Sequence, residues 1–219
     1  MVTVHQLGAR KLAAFLRLVD TSPAVEMVTV KGRGRRSSKD LGREREHLTP
    51  DEVEKLANAA KRNRHGLRDW LMVIMAYRHG LRASELVSLR RDAVNFDAGV
   101  LHVTRLKNGD ASTQPLQGDT LRALRRLFRE APASPYVFIS ERGAPFTRAG
   151  FQKMVARAGV EAGFAFGVHP HMLRHAAGYK LANDSVDTRT IQAYLGHKSI
   201  RHTVRYTELA PGKFKGLWK

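Results

Sequence analysis

Apolar residues recur at a helical period over most of the chain, beginning close to the N-terminus. Residues 4–19 place five apolar side chains on one side of a predicted amphipathic helix: Leu7, Leu12, Phe15, Leu16 and Val19. The stretch at residues 31–46 is different, because it is basic, contains glycine and serine, and has almost no apolar residues. We interpret it as a linker or a basic arm, with a tail of no particular role as the alternative.

From Leu48 onwards, the pattern predicts a mainly helical domain. Thr49 precedes a proline and is followed three residues later by Glu52, a capping box that predicts a helix over 50–62. Residues 70–80 are mostly apolar and end in glycine, which predicts a buried helix. Further helices are predicted from about Ser84 and from Pro170 to about Ala182. Four more have a predicted capping residue: Asp119 for a helix to about Glu130, Thr147 for one to about Ala162, Asp187 for one that Gly196 ends, and Ser199 for one through about Glu208.

One segment has the pattern of a β-hairpin instead of a helix. In residues 100–116, Val100, His102 and Thr104 fall on one face, and residues 107–110 contain an Asn-Gly turn. Asn-Gly is a strong hairpin signal because both residues accept a positive φ. The elements together predict a mainly α fold with a small antiparallel β-sheet, of the α+β class.

The composition is that of a globular protein with an unusual charge. Lys and Arg number 38 against 20 Asp and Glu, which gives a formal net charge of +18. A domain this basic is expected to bind a polyanion, most simply nucleic acid, although an anionic membrane or a solubility-driven surface would also fit. The chain has no cysteine, which excludes disulfides, thiolate nucleophiles and cysteine-based zinc sites. It shows neither a membrane-spanning run nor the order of a signal peptide, so we expect a cytoplasmic protein.

Four stretches resemble the motifs of the tyrosine recombinases, or phage-integrase family. They occur in the family's order: GLRASEL (80–86), RLKNGD (105–110), HPHMLRHAAG (169–178) and YLGHKSIRHTVRYTEL (194–209). Each alone is a weak signal, but their combination over about residues 48–210 is specific. The C-terminal part is most similar to the short recombinases that invert promoter segments in fimbrial phase variation. The resemblance implies the tyrosine recombinase catalytic fold and a site-specific DNA recombinase that needs no metal, cofactor or ATP.

The resemblance also implies roles for individual residues. Arg82 and Arg174 would hold the scissile phosphate, because planar guanidiniums donate paired hydrogen bonds to phosphate oxygens. Tyr206 would be the nucleophile that forms a covalent 3′-phosphotyrosine and frees a 5′-hydroxyl. A phenol is mostly protonated at pH 7, so a base must assist, and His171 is the residue that matches this position.

The remaining family positions are a lysine, a histidine and an acid. Lys107 would be the general acid, His197 would donate a hydrogen bond to the phosphate, and Glu85 would orient an arginine or histidine from behind the site. Arg105 competes with Lys107 for the role of the nearby cation, because hairpin lysines are often simply solvated. Tyr206 as an ordinary core aromatic is the alternative to its role as nucleophile.

The three histidines of HPHMLRH allow a metal site as an alternative. His171 and His175 are spaced by one helical turn and could bind zinc together, but a third ligand is needed. The nearest acids, Glu161 and Asp184, do not lie in a zinc-like motif. We therefore predict no metal site, and we expect His169 and His175 to be helix-start or packing residues.

The resemblance further implies the organisation of the chain and its partners. Residues 1–46 would form an amphipathic helix plus a basic arm, residues 47–210 the catalytic domain, and residues 211–219 a tail that docks in cis or on another protomer. The expected partners are double-stranded DNA recombination sites, three further protomers in a homotetramer, and accessory DNA-bending proteins, with no membrane. The basic charge of the arm, and not the resemblance, leads us to the hypothesis that it contacts the DNA backbone through Lys31, Arg33, Arg35, Arg36, Lys39 and Arg43.

Two other functions are compatible with the sequence. One is DNA relaxation on a single duplex, as in type IB topoisomerases, which have a similar set of active-site residues. The other is a DNA-binding regulator with a dormant recombinase fold. Dormancy is disfavoured because each of the family's catalytic positions is filled in this sequence.

Overall fold

The computed structural model describes residues 45–105 and 111–208, and these form a helical domain with one small sheet. The predicted N-terminal helix, the arm up to residue 44, the hairpin turn at 106–110 and the tail from 209 lie outside these residues. The described elements are α1 (Pro50–Lys61), α2 (Gly66–Arg78), α3 (Ala83–Val87), β1 (Val94–Asn95), β2 (Val100–Val103), β3 (Ser112–Pro115), α4 (Gly118–Glu130), α5 (Arg148–Glu161), α6 (Pro170–Asn183), α7 (Thr188–Leu195) and α8 (Arg201–Thr207).

Three helix starts follow the capping residues predicted from sequence. Thr49 and Glu52 form the predicted capping box at α1, in which each side chain accepts from the other residue's backbone N–H. The Thr147 hydroxyl accepts from the Gly150 N–H at 2.9 Å and begins α5. The Asp187 carboxylate accepts from two N–H groups at the start of α7. Such caps are local, because the groups that form them lie within four residues.

Two predicted caps are wrong. The residue before α4 is Gln117, and Asp119 lies inside the helix, where its carboxylate accepts two hydrogen bonds from Arg78 at 2.6 and 2.9 Å. The Asp119 carboxylate is therefore part of an ion pair with Arg78 and does not cap the helix. Ser199 does not cap α8 either, since that helix begins after Ile200, which makes no side-chain capping bond. The chain between α7 and α8 instead passes through a turn.

The buried helix predicted over 70–80 begins four residues earlier, at Gly66, and ends at Arg78. The residue after its C-terminal cap, Gly80, has a φ of +55°, the left-handed conformation that ends helices and that glycine adopts without strain. This helix, α2, is apolar nearly all round and packs against α1, α4 and α6. It is the centre of the main hydrophobic core, and each fully buried leucine there stabilises the fold by about 1.5–3 kcal/mol.

The predicted hairpin is present and gains one strand. β2 and β3 pair antiparallel with Leu101 opposite Gln114, and the short β1, which the sequence pattern did not reveal, pairs with the other edge of β2. Leu101 and Val103 are buried, while His102 between them is exposed. The mainly α fold with a small antiparallel sheet, predicted from the sequence, is confirmed.

A second, smaller apolar cluster joins the last three described helices. It contains Ala177 from α6, Ile191 and Leu195 from α7, and Tyr206 from α8, all buried. The turn between α2 and α3 adjoins this cluster, because Gly80 lies beside Leu195 and Ala177. None of the helices in the described ranges is both long enough and apolar enough to cross a membrane.

Candidate active site

A buried carboxylate, that of Glu85, lies at the centre of the candidate site. Its Oε2 accepts from the Arg82 backbone N–H at 2.9 Å, which closes the N-terminus of α3. Its oxygens also accept from the Arg82 guanidinium at 2.7 Å and the Arg105 guanidinium at 2.9 Å. Burial would raise the pKa of this carboxyl, but the Arg82 N–H and the Arg105 charge outweigh burial and lower it. The ionised carboxylate therefore holds two guanidiniums in fixed positions.

The Arg174 guanidinium, from α6, completes the cluster. It lies 3.9 Å from Glu85 and donates to the carbonyl of Gly80 and, at 2.7 Å, to the carbonyl of Leu195. Burial, followed by the neighbouring arginine charges, lowers its pKa to about 10, so it remains charged at neutral pH. Three guanidiniums share one carboxylate, which leaves this cluster with an excess of positive charge. Such a site favours an anion.

Arg105 is a residue of the site whose position the sequence did not reveal. The sequence left open whether Arg105 or Lys107 is the cation near the phosphate. In the structure the Arg105 side chain is fully buried behind Glu85. It also donates to the backbone carbonyls of His79 and Tyr194. A signal was available in the period of two along the strand, because Leu101, Val103 and Arg105 are all buried. Arg105 thus supports Glu85 and leaves Arg82, with about a third of its side chain exposed, as the accessible cation.

Tyr206, on α8, is 1 % exposed and lies within reach of the Arg174 charge. Its hydroxyl lies 2.8 Å from Nδ1 of His175. One face of its ring rests on Gly178, where an added Cβ would lie only 2.6 Å from Tyr206 Cε2. The edge of Tyr179 packs against it with ring centroids 5.1 Å apart. Burial raises the pKa of the Tyr206 phenol, although the Arg174 charge partly opposes this, so the phenol is protonated at neutral pH.

Two histidines, His175 and His197, lie against the Tyr206 ring, and a third, His171, contacts His175; burial keeps all three neutral. His171 lies edge-on to His175 with ring centroids 4.6 Å apart, and burial together with the Arg174 charge lowers its pKa. His197 lies just after α7, and its Nδ1 shares a hydrogen bond of 2.9 Å with the Thr203 hydroxyl. Its ring stacks on that of Tyr206 with ring centroids 6.1 Å apart. Burial and the Arg174 charge lower its pKa to about 3.

The histidine in contact with the phenol differs from the one that the resemblance suggested. His171 was expected to accept the phenolic proton, and His175 was expected to be a packing residue. The structure places His175 against the Tyr206 hydroxyl and His171 one turn away, nearer to the arginines. His169, expected at a helix start, is the N-cap residue of α6.

Residues 45–47 attach the beginning of the described chain to the helix that carries Tyr206. Glu46 forms an ion pair with Arg205, the residue before Tyr206. His47 stacks on Tyr179 with ring centroids 3.9 Å apart. The tyrosine helix is thus held through Arg205 by Glu46, a residue that the sequence assigned to the end of the arm, while His47 contacts α6.

Several predicted residues lie outside the described residues and stay predictions: Lys107, Lys31, Arg33, Arg35, Arg36, Lys39 and Arg43. Within the described ranges, no group of three or more histidine, aspartate or glutamate side chains is arranged to hold a metal ion. The predicted site residues that lie within the described ranges are brought close together by the fold: Arg82, Arg174, His171, His197, Glu85 and Tyr206.

The fold and this arginine–histidine–tyrosine cluster define a class of protein. Residues 46–213 match the phage integrase family, and the chain belongs to that family. Membership confirms the predicted tyrosine recombinase fold and the predicted class of enzyme, a site-specific DNA recombinase.

Similarity to individual proteins shows which members of the family this chain resembles. The chain is 42% identical over 181 residues to the type 1 fimbriae regulatory protein FimE of Escherichia coli K12, covering 80% of this chain and 91% of FimE. It is 31% identical over 180 residues to the tyrosine recombinase XerD of Listeria monocytogenes, covering 78% of this chain and 61% of XerD. The crystal structure of XerA recombinase superposes with a TM-score of 0.66 at 27% identity, covering 74% of this chain and 60% of XerA. The similarity to FimE confirms the predicted resemblance to fimbrial recombinases.

Proposed function

We propose that the arginine cluster binds the scissile phosphate of a DNA strand and that Tyr206 attacks its phosphorus. The observation that carries this proposal is the excess of positive charge in the cluster of Arg82 and Arg174 around Glu85, together with the buried Tyr206 phenol on which the Arg174 charge acts. Negative charge on the non-bridging oxygens must be neutralised as the transition state forms, and fixed guanidiniums do this without reorganisation. Arg82 is accessible enough to meet a phosphate, while Arg174 is held by two backbone carbonyls.

The proposed reaction is a transesterification. The bond from Tyr206 Oη to phosphorus forms while the bond from phosphorus to the 5′-oxygen breaks, giving a 3′-phosphotyrosine and a 5′-hydroxyl. His171 would take the phenolic proton, and Lys107 would give a proton to the departing oxygen. The phosphotyrosine retains the energy of the broken bond, so a 5′-hydroxyl from another strand can reverse the step without ATP. The guanidiniums supply the charge stabilisation, and the proposed step involves no metal or cofactor.

The proposed substrate is double-stranded DNA at two recombination sites, joined by four protomers through a four-way junction. The net charge of +18 supports binding to a polyanion, and the basic residues 31–43 would add salt-dependent contacts with the backbone. The tail with Phe214 and Trp218 would dock on a neighbouring protomer, and accessory proteins would bend the DNA. We place the reaction in the cytoplasm, on the bacterial nucleoid.

The test of this function is covalent capture of DNA. The full-length protein is incubated, in EDTA, with a pool of nicked duplexes whose sequence is randomised around the nick. Cleavage beside the nick releases a short strand, so the reaction cannot reverse and the covalent adduct accumulates. We expect adducts that survive denaturation, and sequencing of the captured DNA will define a preferred site. Absence of any adduct over the whole pool would overturn the proposal.

Gly178→Ala is expected to slow adduct formation on the selected DNA by about 100-fold. Alanine is normally the better helix residue, by about 1 kcal/mol, but here its Cβ would meet the Tyr206 ring at 2.6 Å. The ring must move, and a displacement of about 1 Å in a reacting group is sufficient for such a loss. The measurement is the single-turnover rate of adduct formation.

A matched control for that variant is Gly118→Ala. Gly118 also lies in a helix, but an added Cβ there meets the flexible end of the Arg122 side chain at 3.4 Å. We expect wild-type rates for this control. An equally fast Gly178→Ala variant would show that contact between Gly178 and the tyrosine ring does not determine where the phenol lies.

A further inference from the structure

The hydrogen bond between Tyr206 and His175 has no role in the reaction described above. His175 belongs to the same helix as His171 and Arg174, one turn beyond the former. Its Nδ1 lies 2.8 Å from the Tyr206 hydroxyl oxygen, a distance typical of a good hydrogen bond. The contact joins α6 to α8 at the atom that would attack the DNA.

The direction of this hydrogen bond follows from the protonation of the two groups. Burial and the charges of His171, Arg205 and Arg174 lower the pKa of His175 to about 3. Burial raises the pKa of Tyr206 above its ordinary value of 10. At neutral pH the imidazole is therefore neutral and the phenol protonated. The phenol O–H is the more acidic donor of the two and an unprotonated imidazole nitrogen is the stronger acceptor, so we infer that the phenol donates and Nδ1 accepts. The proton of the neutral ring must then be on Nε2.

The same two pKa shifts show that His175 can orient the Tyr206 hydroxyl but is a poor base for removing its proton. Transfer of a proton from a phenol whose pKa burial raises to an imidazole whose conjugate acid has a pKa of about 3 is strongly unfavourable. A hydrogen bond from the phenol to the same imidazole carries no such penalty. His175 in this environment is suited to hold the hydroxyl and unsuited to deprotonate it.

Packing alone does not fix the hydroxyl. Gly178 lies under the ring, Tyr179 meets it edge-on and His197 stacks against it, and these contacts locate the plane of the ring. None of these ring contacts is a hydrogen bond to the phenolic oxygen, so the ring can still shift within its own plane and carry that oxygen with it. A hydrogen-bond acceptor fixed on a neighbouring helix removes that freedom.

We propose that His175 is a positioning residue: its Nδ1 accepts the hydrogen bond of Tyr206 and holds the phenolic oxygen in the site of its own chain before DNA arrives. This inference rests on the proposed role of Tyr206 as nucleophile. His171, nearer to the arginines, remains the residue proposed to take the proton.

The kinetic test compares two substitutions of similar size and branching. His175→Asn keeps an oxygen acceptor close to the position of Nδ1, whereas His175→Leu has none. We expect the leucine variant to form adducts on the selected nicked DNA about 10- to 100-fold more slowly than wild type, with unchanged DNA affinity. The asparagine variant should recover most of that loss. Equal rates for asparagine and leucine would overturn the inference, as would a leucine variant as fast as wild type.

A spectroscopic test covers the case in which the leucine variant fails to fold. In full-length protein labelled with ¹⁵N-histidine, the His175 Nδ1 signal at pH 7 should be that of an unprotonated acceptor, and Tyr206→Phe should shift it. A protonated Nδ1, or a signal that Tyr206→Phe does not move, would refute the hydrogen bond. This test does not depend on catalysis. If wild-type protein forms no adduct, the proposed function fails, while the spectrum still decides whether His175 holds the phenol.

Discussion

Replacement of Tyr206 by phenylalanine is expected to abolish the covalent protein–DNA adduct while DNA affinity stays within about twofold of wild type. Phenylalanine keeps the ring that packs on Gly178 and Tyr179, and removes only the attacking oxygen. The variant also loses the hydrogen bond to His175, which should cost about 1 kcal/mol in the free energy of unfolding. Adducts are measured on denaturing gels with the selected nicked DNA, and affinity by mobility shift.

The neighbouring Tyr179 provides the matched control. Its ring packs 5.1 Å from that of Tyr206 and stacks on His47, so Tyr179→Phe removes a hydroxyl from the same aromatic group without touching the proposed nucleophile. We expect adducts at close to the wild-type rate. Adducts that persist in Tyr206→Phe would mean that another side chain attacks, and peptide mapping of the adduct would identify it.

Glu85→Ala is expected to produce the largest loss of stability of any substitution in the site. It leaves the guanidinium of Arg105, which is fully buried, without its carboxylate partner, and it removes the cap of α3. Breaking one partner of a buried ion pair typically costs about 3–5 kcal/mol. For a domain of this size, that corresponds to a fall in Tm of about 10 °C. Chemical denaturation measures the free energy, and adduct formation should slow because Arg82 is no longer held.

Glu85→Gln should be intermediate, because it keeps one acceptor oxygen and loses the charge. The control is Glu130→Gln, which disrupts an exposed pair with Arg126 and should change the free energy of unfolding by about 0.5 kcal/mol or less. A Glu85→Ala variant as stable as wild type would show that the cluster contributes nothing to folding.

The stability that Glu85 contributes should also depend on pH. Its pKa in the folded protein is lowered from 4.5, so the folded state favours the ionised form. The contribution is therefore complete above pH 4.5 and is lost as the pH falls through the lower, folded-state value. The stability difference between wild type and Glu85→Gln should narrow below pH 4.5. A difference that stays constant to lower pH would contradict the assignment.

Much of the fold could be predicted because its signals are local. Thr49 with Glu52, Thr147 and Asp187 cap their helices as expected, since each contact spans only two or three residues. The left-handed glycine after α7, Gly196, ends that helix for the same local reason. Asp119 was mispredicted because Arg78, distant in sequence, competes for its carboxylate.

The sequence predicted which residues belong to the candidate site, but not which of them contact one another. The motifs singled out Arg82, Arg174 and Tyr206, and the folded chain brings them together. The motifs did not show that Arg105 would be buried behind Glu85, because that depends on how the sheet packs against α3. The period of two along β2 shows which side of the strand is buried. It does not show that the Glu85 carboxylate lies on that side.

The sequence by itself determined the helices, the hairpin, the positive charge and the residues that carry the chemistry. These could be predicted because periodicity, capping and charge depend only on residues close together in the chain. The choice between His171 and His175 as the partner of the phenol was decided only by tertiary structure. Both histidines face the same side of α6, one turn apart, and the position of α8 places the Tyr206 hydroxyl against one of them. That position depends on packing against residues far away in the chain, which no local pattern encodes.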